Sequence, residues 1–258
     1  MIQIKTPREI AAMREGGKIL AEILHELAIS AHVGMATEEL DIKSQALMSK
    51  YDVAPSFKGY RGYPASVCVS INEEVVHGIP GKRTLDDGDI IKIDCGIIHK
   101  GMHTDSCVAV MIGNVKPEIR EFVNTVAKSL ENVFKIIKPG VRVGDIGHEI
   151  QKCVESRGYS AVHEYTGHGV GKNLHEEPEI PNHGKKGKGP ILLPGMVIAV
   201  EPIIAMGNRF VYTLKDDWTA VTRDSSPSCQ VEHTIAITSS GYEVLTKYHD
   251  TTNLVYSQ

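Results

Sequence analysis

The chain has 258 residues, 41% hydrophobic and 23% charged, with a formal net charge of −4. That composition suits a globular protein with room for one large domain, and it lacks the basic excess that nucleic-acid or membrane-surface binding requires. No uncharged run reaches transmembrane length, and the opening "MIQIKTPREI" has no signal-peptide core. The five cysteines (Cys68, Cys95, Cys107, Cys153, Cys229) are odd in number and form no CxxC pair. A reducing cytoplasm without disulfides is therefore expected.

Thr6-Pro7-Arg8-Glu9 reads as an N-cap, a proline at the first helical position and a capping-box glutamate. Ile10, Met13, Ile19, Leu20, Ile23, Leu24 and Leu27 then recur at helical spacing, so a helix that stops before Gly34 is predicted. Thr37 with Glu38 and Glu39 predicts the cap and first turn of another. "DGDIIKIDCG" (87–96) and "DSCVAV" (105–110) predict two strands of a hairpin that turns near His99-Lys100-Gly101. With the midpoint between 99 and 100, Asp94 and Asp105 fall directly opposite each other across the ladder.

Further helices are predicted from Pro117 to about Ile137, ended by Pro139-Gly140, and from roughly 144 to 157. Strands follow in "PGMVIAVEPI" (194–203) and "EHTIAI" (232–237). The lysine-rich "HGKKGKGP" (183–190) reads as a solvated glycine-rich loop. These later elements repeat the earlier ones in order. Gly34 matches Gly140, Leu40 matches Ile146, "HGIP" at His77 matches "HGVG" at His168, Asp94 matches Glu201 and Asp105 matches Glu232. An internal duplication is predicted, with two α+β halves (about 1–115 and 116–258) related by a pseudo-twofold. The connection near 111–118 is short and has no linker composition, so both halves belong to one domain.

The acids within these apolar strands carry the most chemistry. Any one of them could mark a strand end at the surface. Four at matching places of a repeated strand set point instead to converging carboxylates, and like charges in a sheet need cations to neutralise them. Hard oxygen ligands suit a pair of divalent ions sharing carboxylates. A histidine added to them favours manganese, iron, cobalt or zinc over magnesium or calcium, and His77 and His168 sit at equivalent places for that part. A phosphate loop at "GHGVGKN" is excluded, because its spacing is one residue short and Asn173 stands where Ser or Thr is required.

The blocks "GYRGYPASVCVSINEEVVHGIP", "IIKIDCG", "HTDSC", "GHGVGKNLHEEP", "MVIAVEP" and "CQVEHT" resemble the type I methionine aminopeptidases over essentially the whole chain. The resemblance implies the pita-bread (creatinase/aminopeptidase) fold, an α+β architecture with a central antiparallel sheet covered by helices. It implies a dinuclear centre in which Asp105 and Glu232 bridge, Asp94 completes one ion's shell, and His168 and Glu201 complete the other's. The implied reaction is attack of a metal-bridging water or hydroxide on the carbonyl of an N-terminal methionine. Glu201 would act as general base and then acid, His175 would stabilise the oxyanion, and His77 would contact the scissile amide.

Tyr60, Tyr63, Cys68 and Trp218 would line the methionine pocket. Phe57 stands where a cysteine is frequent, and Leu174 where an aromatic residue precedes the second histidine; both keep the wall apolar. The resemblance also implies a cytoplasmic monomer that acts on nascent polypeptides with a small second residue, with room for a transient ribosome contact and no nucleic-acid or membrane binding of its own. The 33 residues from His168 to Glu201 leave no space for the insertion of the type II subclass. Two alternatives share the fold: a proline-directed peptidase, whose chains usually carry an additional N-terminal domain, and a non-catalytic binding module that has lost metal ligands.

Overall fold

The computed structural model describes residues 1–247 and 255–257. The chain begins with α1 (Pro7–Ser30) and α2 (Thr37–Lys50), followed by β1 (Ala54–Pro55), β2 (Val67–Ile71), β3 (Glu74–Val76), β4 (Ile90–His99) and β5 (Met102–Met111). After α3 (Pro117–Ile136) and α4 (Val143–Glu155) come β6 (Ser160–Ala161), β7 (Thr166–Gly169), β8 (Glu176–Pro181), β9 (Val197–Val200), β10 (Ile203–Ala205) and β11 (Val211–Thr213). The remaining strands are β12 (Ala220–Thr222), β13 (Ser228–Gln230), β14 (His233–Ile237), β15 (Tyr242–Val244) and β16 (Val255–Ser257).

The helix signals act as their chemistry requires. Thr6 Oγ1 accepts the Glu9 N–H while Glu9 accepts the Thr6 N–H at 2.8 Å, closing the capping box at the head of α1. At α2 the cap falls one residue earlier than expected. Ala36 is the cap residue, its N–H donating to Glu39 Oε1 at 2.9 Å. The Thr37 hydroxyl is drawn away to Gly81, whose N–H it accepts at 2.8 Å and whose carbonyl it donates to at 3.1 Å.

Two sheets meet at the centre. In one, β4 lies between β2 and β5; in the other, β9 lies between β7 and β14. They join where Cys107 on β5 pairs with Glu232 just before β14. The order across the seam is therefore β2-β4-β5 and then β14-β9-β7. Helix α1 packs on β4 and β5, and α3 packs on α4. Leu20, Ile23, Leu24 and Leu27 share one continuous core with Ile91 and Ile93 of β4 and with Phe122, Val126 and Leu130 of α3. The 183–190 loop is largely solvent-exposed and docks on the head of α4, where Gly187 N–H donates to Asp145 Oδ1 at 2.8 Å.

The β4–β5 hairpin corrects the expected register. Lys100 and Gly101 both have positive φ (51° and 76°), the geometry of a two-residue primed turn. His99 pairs with Met102, so Asp105 lies opposite Gly96 and Asp94 opposite Cys107. The two acids are diagonal neighbours, not a facing pair. Moving the turn centre by one residue shifts the pairing by two, which leaves both acids on the same face of the sheet.

Close backbone approach fixes one glycine of α1. A Cβ on Gly17 would lie 2.3 Å from the Leu245 carbonyl oxygen. In an open helix Gly→Ala stabilises by about 0.5–1 kcal/mol. Here Gly17→Ala is expected to destabilise by about 1–3 kcal/mol as the helix is pushed off its neighbour, measured as a lower urea midpoint at unchanged slope.

Candidate metal centre and active site

Five ionisable side chains converge at the seam. Asp94 lies on β4, Asp105 on β5 and His168 on β7. Glu201 directly follows β9, where Pro202 interrupts the ladder before β10, and Glu232 directly precedes β14. The seam is stitched beneath them. Glu232 N–H donates to the Cys107 carbonyl (3.0 Å), Asp105 N–H to Thr234 Oγ1 (2.9 Å), Thr234 Oγ1 to the Asp105 carbonyl (2.7 Å) and Ser106 Oγ to the Glu232 carbonyl (2.6 Å). The backbones bearing the acids are thereby held from both halves.

Asp105, His168, Glu201 and Glu232 are buried, and Asp94 is half-buried. His168 Nε2 lies 3.8 Å from both Asp105 Oδ2 and Glu201 Oε1. Asp105, His168 and Glu232 each offer a ligand atom within 4.8 Å of the others. The His168 Nδ1 is 2.9 Å from the Gly169 carbonyl, which only accepts, so Nδ1 carries the proton and Nε2 is left as a donor atom for a metal. Burial pulls the His168 pKa down to about 4, which keeps the ring neutral.

Burial pushes the carboxyls the other way. Asp94 rises to about 7. Asp105, Glu201 and Glu232 rise well above the ordinary carboxylate range, through burial first and then through a neighbouring acid, Asp94 for Asp105 and Glu201, and Asp105 for Glu232. Asp94 Oδ1, Asp105 Oδ1 and Glu232 Oε1 are buried without a hydrogen-bond partner. Orphaned carboxylate oxygens beside a neutral imidazole cost free energy unless cations occupy the space between them. The donor set of oxygens with one nitrogen fits divalent first-row ions.

Beside the acids opens a cavity of about 630 Å³. Phe57, Tyr63, Cys68 and Leu174 form a buried apolar cluster on its wall, with Tyr60 and Trp218 packed against it. The Tyr63 hydroxyl donates to the Gly78 carbonyl at 2.9 Å, and its ring meets Trp218 edge-on at 5.0 Å. His77, in a left-handed conformation (φ 61°), stands edge-on to Tyr165 at 5.4 Å and to Trp218 at 6.3 Å. Burial lowers its pKa to about 4. His175 sits at the cavity mouth, its ring 4.3 Å from that of His168 and its Nδ1 2.8 Å from the Tyr60 hydroxyl. Its pKa is depressed, first by the surrounding protein and then by His168. The cavity wall thus brings together His77, His175, the five metal-ligand candidates and every residue expected in the methionine pocket.

Sequence reasoning overlooked several contributors. Gln230 Nε2 donates to Glu201 Oε2 at 3.1 Å, and the side chain lines the same cavity as Asp94. Its place in "CQVEHT", two residues before Glu232, was the available signal. Tyr165, which backs His77, lies three residues before His168 and carried no distinguishing pattern. Asp41 on α2 accepts the Ser66 N–H at 2.7 Å, holding the loop that bears Tyr60 and Tyr63.

The model of metallopeptidase family M24 matches residues 11–239, and the chain belongs to that family. Among its relatives is methionine aminopeptidase 1 of Bacillus subtilis, 47% identical over 247 residues that cover 96% of this chain and 100% of that protein. The methionine aminopeptidase of Escherichia coli is 40% identical over 255 residues, covering 97% and 96% respectively. The crystal structure of a methionine aminopeptidase from Thermotoga maritima superposes with a TM-score of 0.94 at 43% identity, covering 96% of this chain and 100% of that one. A prolidase from Pyrococcus horikoshii matches with a TM-score of 0.77 at 21% identity and with 64% of that chain covered, a likeness of fold alone. The architecture is the pita-bread fold, and membership of the family implies divalent metal ions.

A pH dependence follows from the raised carboxyl pKa values. Between the unfolded value of 3.8 and the folded value of about 7, Asp94 binds more proton when folded, so the stability of chelator-treated protein falls as pH rises through that window. Asp105, Glu201 and Glu232 act in the same direction, and the lowered pKa values of His77, His168 and His175 act in the opposite one below about pH 6.5. Adding Mn²⁺ is expected to flatten or reverse the slope and to release protons on binding. Thermal melts at pH 5 and pH 7.5, with chelator and with metal, check both; a pH dependence that is the same with and without metal contradicts the assignment.

Proposed function

We propose that the chain is a methionyl aminopeptidase that removes the N-terminal methionine from polypeptides with a small second residue. The observation that carries this reading is the meeting of orphaned carboxylates and a neutral His168 beside an apolar cavity bounded by His77 and His175. The full-length relatedness to methionine aminopeptidases supports it. Residues 1–258 act as one catalytic domain built from halves of about 1–115 and 116–258, a division supported by the mirrored strand order across the seam.

In this reading Asp94, Asp105, His168, Glu201 and Glu232 would hold two divalent ions, Asp105 and Glu232 as shared ligands, Asp94 for one ion and His168 with Glu201 for the other. Cobalt, manganese, iron and zinc all suit this donor set. When bound, such ions polarise a carbonyl and lower the pKa of water to near neutrality. The protein's own groups do the rest. Glu201 receives and returns the proton at its carboxylate, whose Oε2 is steadied by Gln230. With the Tyr60 hydroxyl donating to Nδ1, neutral His175 keeps its proton on Nε2 and presents it to the developing oxyanion. His77, neutral through burial, contacts the scissile amide.

Phe57, Tyr60, Tyr63, Cys68, Leu174 and Trp218 receive the methionine side chain, whose polarizable thioether suits aromatic edges. In this reading the enzyme works as a cytoplasmic monomer on nascent chains, with room for a transient ribosome contact. Among the described residues no helix is long and apolar enough to cross a membrane. A proline-directed peptidase is the weaker reading, because its solved examples resemble this chain in fold alone.

With Mn²⁺ or Co²⁺ added, Met-Ala-Ser is expected to be cleaved and Ala-Pro-Ser spared. Faster cleavage of Ala-Pro-Ser, or no cleavage of Met-Ala-Ser with any metal, overturns the reading. In Asp105→Asn, elemental analysis is expected to find fewer than two ions per chain, with activity lost; full occupancy and rate in that variant contradict the shared-ligand role. His175→Ala is expected to lower kcat by about 10²–10³ while the bound metal is retained.

A further inference from the structure

The loop that carries Leu174 and His175 has little secondary structure of its own, running between β7 and β8. What fixes it comes from the other end of the chain. The Lys5 ammonium lies 2.7 Å from Glu176 Oε2, and both side chains are only 4% exposed. Lys5 Nζ also donates to the Gln3 carbonyl, and the Lys5 N–H donates to the Gly195 carbonyl at 2.8 Å, so the lysine is held at backbone and head alike.

Glu176 uses its second oxygen inside the loop, where Oε1 accepts the Asn173 N–H at 3.1 Å. Gly171 closes over the pair so tightly that a Cβ there would come within 2.5 Å of Lys5 Cε and 2.9 Å of Glu176 Oε1. The Gly171 carbonyl in turn accepts the His103 N–H from β5 at 2.7 Å. A pair between the exposed Lys172 and the half-buried Glu9, at 3.0 Å, crosses from the same loop to the head of α1.

We propose that Lys5 and Glu176 are positioning residues for the reaction: their buried ion pair ties the N-terminal arm to the 171–175 loop and sets the orientation of His175 and Leu174. The inference rests on the role given to His175 in the proposed function. Neither residue has to touch substrate for this. Glu176 is the sequence neighbour of His175, and its carboxylate is clamped on one side by Lys5 and on the other by the loop backbone. Releasing the clamp frees the segment on which the His175–Tyr60 contact depends. A surface pair would be too weak for such a task, but a pair excluded from water is held in a single geometry.

Removing Lys5 alone strands a buried carboxylate and threatens folding, so the informative variants are Lys5→Arg, which keeps the pair, and the double change Lys5→Met with Glu176→Gln, which removes both charges together. In the double variant, amide exchange of residues 171–175 followed by mass spectrometry is expected to quicken by about tenfold or more, while the central strands stay protected. On Met-Ala-Ser, kcat is expected to fall by about 10- to 100-fold with KM changed less than about threefold. Bound metal should be unchanged, and Lys5→Arg should stay within about threefold of the parent in both measurements. Unchanged exchange in the double variant overturns the tether. Faster exchange with unaltered kcat overturns the positioning role. If the unmodified protein does not cleave Met-Ala-Ser, the proposed function fails instead, and the exchange measurement still decides the tether.

Discussion

Four carboxylates crowd against one imidazole at the seam between two sheets, and much of the structure can be understood as what tolerates that crowding. Left to themselves, acids so close together and so poorly solvated repel one another and take up protons. The fold holds them there by backbone means. Asp105 and Glu232 are anchored through Thr234, Ser106 and the Cys107 pairing, none of which depends on the charge state of the acids. The site is therefore prepared before any cation arrives, and the repulsion among its members becomes affinity for divalent ions.

The second consequence of the seam is polarity in space. Each half contributes part of the centre: Asp94 and Asp105 from β4 and β5, His168, Glu201 and Glu232 from the strands around β9. Gln230 donates to Glu201 within the same cavity. The apolar pocket comes from a separate cluster, Phe57, Tyr63, Cys68 and Leu174, walled by Tyr60 and Trp218. The charged side chains and the apolar cluster lie side by side on one cavity. The neutral histidines His77 and His175 stand on the boundary, able to donate hydrogen bonds without adding charge.

Legibility in the sequence followed the locality of each signal. The capping box of α1 was readable because its partners are three residues apart, and the strands bearing the acids were readable because their apolar runs are short and continuous. The hairpin register was misjudged because the turn centre depends on two residues adopting positive φ, a one-residue distinction that hydrophobic pattern does not report. The α2 cap shifted because a loop glycine 44 residues away captured the Thr37 hydroxyl. Gln230 and Asp41 were passed over because an amide or a helix acid acquires meaning only through the atoms it meets.

By itself the sequence determined the element types, the repeated order of acids in apolar strands, and the chemical kinds of side chain on offer, carboxylates with histidines at matching places. These are properties of residue type and near-neighbour spacing, which survive without coordinates. Tertiary structure alone decided that Asp94 and Asp105 are diagonal neighbours, that Nε2 of His168 is the free nitrogen, and that Lys5 clamps Glu176 across 171 positions of chain. Each of those rests on a hydrogen bond or contact between segments remote in sequence, and such contacts exist only once the two halves have closed on each other.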